Sequence, residues 1–267
     1  DTIAPEVQII SPQDGLGDIP RNARIWVRFD EPIQSLSDDQ IKLSVGGTEI
    51  TAARSWSDGN RLLQLITPRP LAAGAVHTVT VGAGVKDVAG NTLGTEMTSQ
   101  FTAGSSVDIV GPSVVSAAPF NGEKNVPVNT VIQVGVNERI NPLTVTESGF
   151  YLYDATTGRH VSGKRNVSAD GQTLTLTPDE LLKAGRTYYV YAPDIRDLAN
   201  NRLVGSSFIG SFVTGSGVST GTFTIIGVNI PDGAFEVPVK PEVVVQFSEA
   251  IRETALPANA LVILNGS

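Results

Sequence analysis

The sequence predicts an all-β protein made of tandem antiparallel β-sandwiches, two complete and one partial. Three observations carry that expectation. A set of sequence markers recurs at intervals near 110 residues, apolar and polar residues alternate along most of the chain, and turn formers abound where helical signals are scarce. The chain has 267 residues, of which 27 are Gly and 16 are Pro, and these divide it into short segments.

The repeat is the firmest of the three. Ser11-Pro12-Gln13-Asp14-Gly15 followed by Ile19-Pro20 returns as Ala118-Pro119-Phe120-Asn121-Gly122 with Val126-Pro127, and again as Ile230-Pro231-Asp232-Gly233 with Val237-Pro238. Phe29-Asp30-Glu31-Pro32-Ile33 is echoed by Val136-Asn137-Glu138-Arg139-Ile140 and by Phe247-Ser248-Glu249-Ala250-Ile251. Asp58-Gly59-Asn60 returns as Asp170-Gly171-Gln172, and Leu71-Ala72-Ala73-Gly74 as Leu182-Lys183-Ala184-Gly185. Lys86-Asp87-Val88-Ala89-Gly90-Asn91 returns as Arg196-Asp197-Leu198-Ala199-Asn200-Asn201. A period of this length is too long for a solenoid unit and fits one small domain per copy. Gly104-Ser105-Ser106 closes the first copy, and a Gly/Ser/Thr linker starting at Gly215 closes the second. The expected domains are 1–106, 107–216 and the leading part of a third at 217–267.

Within each copy the period is two. Ile25, Val27 and Phe29 alternate with Arg24, Trp26 and Arg28, and Ile132, Val134, Val136 and Val243, Val245, Phe247 stand at the same places. One face of this strand is therefore apolar in every copy, as packing on a core requires. Leu174 and Leu176 alternate with threonines, whereas the matching run Leu62–Ile66 is longer by two residues and reads as a bulge. Asp-Gly pairs at 14, 58, 170 and 232 mark tight turns. Helix signals amount to single turns at Ser37–Gln40 and Pro178–Leu182. About seven short strands per copy imply a two-sheet antiparallel sandwich.

Composition removes several function classes. There is no Cys, which excludes disulfides, thiol nucleophiles and cysteine-ligated metal centres. Acidic residues exceed basic ones by 8, which argues against phosphate-backbone binding to nucleic acid. No apolar run approaches the length of a membrane-spanning helix, so membrane insertion is not expected. Gly217-Val218-Ser219-Thr220-Gly221 matches the spacing of a nucleophile elbow, but that chemistry needs a strand–turn–helix, and this stretch lies in a linker. His77 and His160 fall in different copies and make no common site. No catalytic residues and no required cofactor are expected.

The order Pro…Gly…Val-Pro, Phe247-Ser248-Glu249-Ala250-Ile251, Leu182-Lys183-Ala184-Gly185-Arg186-Thr187-Tyr188 and Asp87-Val88-Ala89-Gly90-Asn91 resembles the bacterial immunoglobulin-like repeats of S-layer proteins and large surface adhesins. The resemblance spans essentially the whole chain. It implies tandem immunoglobulin-like sandwiches and a non-catalytic role as stalk, spacer or assembly unit at the bacterial cell surface or in a secreted protein. Two departures stand out: His77 replaces the tyrosine seen at Tyr188, and Asn200 replaces the glycine seen at Gly90.

Threading the strands of such a sandwich brings the turns after the second, fourth and sixth strands to the end where the chain enters the module. Those turns carry Glu31, Asp58 and Asp87 in the first copy and Glu138, Asp170 and Asp197 in the second, and the lead-in segments add Asp1 and Asp108. Two readings of these carboxylates stand. They tie their own loops by accepting backbone hydrogen bonds, or they hold calcium, which takes oxygen ligands, at the joints between modules. The partners expected are other domains of the same larger protein, like subunits through strand completion or lattice packing, and surface glycans. Asp1 in place of an initiator Met points to a signal peptide and further domains outside this stretch. The second functional reading is an accessory or carbohydrate-binding region of a secreted polysaccharide-degrading enzyme, for which the outward-facing Trp26 is the candidate ligand platform.

Overall fold

The computed structural model describes residues 1–34, 39–219, 225–228 and 245–247. Apart from residues 217–219 and two short paired strands, the third copy lies outside the described residues, and so do the first two residues of the turn at Ser37–Gln40.

The first module contains β1 (Val7–Ser11), β2 (Ile25–Phe29), β3 (Ile41–Val45), β4 (Thr48–Glu49), β5 (Ala53–Ser57), β6 (Leu62–Ile66), β7 (Val76–Val81) and β8 (Met97–Thr102). They form two four-stranded sheets, in the orders β1-β2-β6-β5 and β4-β3-β7-β8. The second module contains β9 (Val114–Ala118), β10 (Glu123–Val126), β11 (Ile132–Val136), β12 (Tyr151–Asp154), β13 (Arg159–His160), β14 (Gly163–Val167), β15 (Thr173–Pro178), β16 (Thr187–Tyr191) and β17 (Phe208–Thr214). Its sheets run β14-β15-β11-β9 and β10-β17-β16-β12-β13. The last strands, β18 (Ile225–Val228) and β19 (Val245–Phe247), pair antiparallel. Among the described residues no helix is long and apolar enough to cross a membrane.

The alternation read from the sequence fixes the sandwich interior. Ile25, Val27 and Phe29, with Leu63 and Leu65 beside them in the same sheet, share the first core with Val79 and Phe101 of the other sheet, all fully buried. Ile132, Val134 and Val136 meet Leu174, Leu176, Tyr188 and Phe212 in the second. All strand pairs within the sheets are antiparallel except β10 with β17, which is parallel and is matched in the first module by the Ile19–Ala103 bridge.

Two local expectations are corrected. β6 runs without a bulge against both neighbours, because Leu63, Gln64 and Leu65 are all buried in an unbroken ladder. The irregularity lies instead in β1, between Val7 and Ile9. Residues 179–182 form no helical turn, since Pro178 continues strand β15. The second module has its single 3-10 turn at Pro142–Thr144, where the Asn141 side chain accepts the Leu143 N–H at 3.1 Å.

Candidate functional site

The geometry concentrates at the joint between the two modules. A short antiparallel bridge between Ile33 and Asp87, and its counterpart between Ile140 and Asp197, fastens the segment after the second strand to the loop before the last. Ile33 and Ile140 are buried beneath these bridges. The same device therefore carries Glu31 to Asp87 and Glu138 to Asp197.

The loop of the second module does not end at its own domain. Leu198 is only 5 % exposed and packs into the core of the first module, with Ile19, Ala23 and Ile25 among that cluster. Its carbonyl accepts the Arg24 N–H at 2.9 Å. Asn22 clasps the lead-in segment in both directions, donating Nδ2 to the Asp108 carbonyl at 2.6 Å and accepting the Asp108 N–H at 2.8 Å. Arg139 reaches across to the Gly17 carbonyl at 2.7 Å. The linker is thus short, and apolar packing and hydrogen bonds both cross it. The clasp recurs at the far end: Asn129 donates to the Ser219 carbonyl at 2.7 Å and accepts its N–H at 2.9 Å. Ser219, the centre of the elbow-like spacing, is a linker residue held through its backbone.

Two carboxylate triads sit at corresponding places. Asp1, Glu31 and Asp87 have ligand-capable oxygens within 4.8 Å of one another, and so do Asp108, Glu138 and Asp197. Asp87 and Asp197 also tie their loops. Asp87 accepts the N–H groups of Gly90 at 2.6 Å and Asn91 at 2.8 Å, together with the Asn91 side chain at 2.7 Å. Asp197 accepts the N–H of Asn201 at 2.8 Å and its side chain at 2.7 Å. Burial works to raise the Asp87 carboxyl, but these bonds outweigh it and hold it below the usual carboxylate range. For Asp197 burial wins, and its carboxyl lies above that range. Glu138 is the most perturbed of the six. Burial, a hydrogen bond with the Asp108 carboxyl and the charges of Asp108 and Asp197 push it up to about 7. Three acids crowded this closely favour a proton or a cation among them.

The second triad opens on an inter-module cleft of about 420 Å³, lined also by Asp18, Asp170 and Arg139. Asp170 stays outside the triad: it accepts from the Ser168 hydroxyl and, at 3.0 Å, from the Gln172 N–H, which ties its own turn. Asp58 is likewise apart from the first triad and pairs with Arg28 at 2.9 Å. Trp26 is half-buried in β2, registered between Ser11 and Gln64, with its indole N–H enclosed. His77 is fully buried and stacked on Phe101 at 5.5 Å, and His160 is exposed, stacked on Tyr151 at 4.1 Å.

Leu198 and the asparagine clasps escaped the sequence reading. A signal existed for the clasps. Ile19-Pro20-Arg21-Asn22 and Val126-Pro127-Val128-Asn129 share an asparagine two residues after the proline. Leu198 had none, because an apolar residue in a turn marks a contact only once the neighbouring module is placed.

No curated protein matches the chain. Among solved structures, the S-layer protein SbsC is 16 % identical with a TM-score of 0.32. The match covers 85 % of this chain but only 27 % of SbsC, so the chain spans about a quarter of that protein's length. The methionine-rich copper resistance protein PcoC from Escherichia coli is 18 % identical, with a TM-score of 0.32 over 38 % of this chain and 99 % of PcoC. The titin domains Z1Z2 are 16 % identical, with a TM-score of 0.27 over 82 % of this chain and all of that one. The repeats themselves are matched twice by one family description, over residues 1–103 and 108–214, and the chain belongs to the bacterial Ig-like domain family.

Proposed function

We propose that this chain is a non-catalytic spacer region of a larger bacterial cell-surface or secreted protein, and that its modules are held end to end as a stiff rod. One observation carries the reading: Leu198 of the second module is a core residue of the first. An apolar side chain that one module buries in the core of the other resists bending at the joint, because any opening exposes it to water. The Asn22 clasp and the Arg139 contact add directional bonds on either side.

The carboxylate triads supply the finer part of the proposal. Calcium at Asp108, Glu138 and Asp197 would neutralise the crowded acids beside the joint, with Asp1, Glu31 and Asp87 as the equivalent set on the leading end of the first module. Carboxylate oxygens are the ligands such a cation selects.

One measurement tests both parts. The chain lacks Cys, so Thr98→Cys and Lys164→Cys, both at exposed strand positions, allow one spin label per module. The expected result is a single narrow inter-label distance in calcium that broadens after chelation. A broad distribution in both conditions overturns the rod. Equal narrow distributions leave the rod and remove calcium from it.

A further inference from the structure

The joint between the modules has a plug and a socket, and the first module carries an unused plug. Leu198 and Ala199 are buried at the joint, at 5 % and 8 % exposure. Their counterparts in the repeat are Val88 and Ala89, in the same loop with the same aspartate anchor and the same bridge to the preceding isoleucine. Val88 is 64 % exposed, and Ala89 is exposed as well. The comparison isolates the contact. Ile109 stays 81 % exposed with the joint formed, as Ile3 is at 70 %, so the lead-in isoleucines play no part in it. Among the apolar residues of this end, it is the Asp-Val/Leu-Ala loop that passes from exposed in the first copy to buried in the second.

We infer that the leading end of the first module is a docking surface for the trailing end of another Ig-like module of this kind. This deepens the spacer reading and rests on it. The partner's chemistry follows from the joint already formed. It must offer an apolar socket for Val88, a backbone N–H for the Val88 carbonyl in the role of Arg24, and a side-chain amide in the role of Asn22 to clasp the backbone of Asp1, which stands where Asp108 stands. The contact made by Arg139 has no equivalent, because Pro32 occupies that place in the repeat.

The test adds a second copy of residues 1–107 directly before Asp1 of the full chain. This reproduces the natural Ser-Ser-Val-Asp junction found at Ser105-Ser106-Val107-Asp108. The added copy carries Thr92→Ser, which gives its peptide a different mass, and hydrogen exchange is then followed in the peptide spanning residues 85–93 of the original first module. The expected result is exchange at least ten-fold slower than in the unextended chain, and restored by Val88→Asp. That residue is solvent-exposed, so the variant keeps its fold. Unchanged exchange on adding the copy overturns the inference, as does protection that survives Val88→Asp. Either result leaves the inter-label distance between the first and second modules untouched, so the spacer reading stands or falls separately.

Discussion

At the scale of single residues, His77 and Tyr188 show how one position is solved twice. Tyr188 sits in the second core against Phe212, and its hydroxyl accepts the Lys183 N–H at 2.9 Å, which pins the preceding loop. His77 stacks on Phe101 in the same way, but its ring is shorter. Nδ1 meets the Ala75 carbonyl at 3.0 Å, while Nε2 is buried without a partner. Burial lowers the affinity of His77 for a proton, and the Ala75 contact only partly opposes that. The folded state thus binds fewer protons than the unfolded chain wherever a free imidazole titrates. The stability that a neutral His77 contributes to the first module is complete above pH 6.5 and falls as the pH drops through and below that value. His77→Tyr is expected to remove this dependence and to gain about 1 kcal/mol from a hydroxyl that reaches the loop at Ala72, the counterpart of Lys183. Urea melts at pH 5 and 7.5 decide it: an unchanged pH slope in the variant would assign the acid sensitivity to other groups.

At the scale of elements, the two modules spend their outer sheet faces differently. In the second, His160, Tyr151, Tyr191 and Phe208 form a row across β13, β12, β16 and β17, with neighbouring ring centroids 4.1, 5.3 and 5.5 Å apart. The first module has Lys42, Thr80 and Thr98 at the places of Tyr151, Tyr191 and Phe208, judged by the matching registers. Cross-strand aromatic pairs add stability beyond area burial. Tyr191→Thr removes two such contacts and is expected to cost the second module about 1–2 kcal/mol, read as a lower thermal midpoint; a loss below the experimental error would mean the row is decoration. The inward half of this pattern was legible in the sequence, because Leu174 and Leu176, or Ile132 and Val134, alternate with period two and only one face of a sandwich strand can be apolar. The triads were legible for a related reason: repeated turns at one end of a known strand order must converge. Asp58 and Asp170 share those turns but not the triads, because local partners, Arg28 in one case and Ser168 in the other, take their oxygens. No periodicity reports such pairings. Nor does it report that Leu62–Ile66 buries three successive side chains.

At the scale of the whole molecule, the joint makes the modules energetically dependent on each other. Leu198 belongs to the second module by sequence and to the first by packing. Leu198→Ala leaves the second module's own core intact and removes apolar atoms from the first, and the cavity sits where two bodies meet and can close in part. The expected cost is about 2 kcal/mol, the low end for a buried leucine. It should register as a lower midpoint for the first module, with faster hydrogen exchange around Ile19, Ala23 and Ile25. The second module should keep its midpoint, and the inter-module distance should broaden. A loss confined to the second module would show that Leu198 supports its own loop and no more. A loss in the first module, caused by a change in the second, is what a rod requires, since bending at the joint then has to unpack a core.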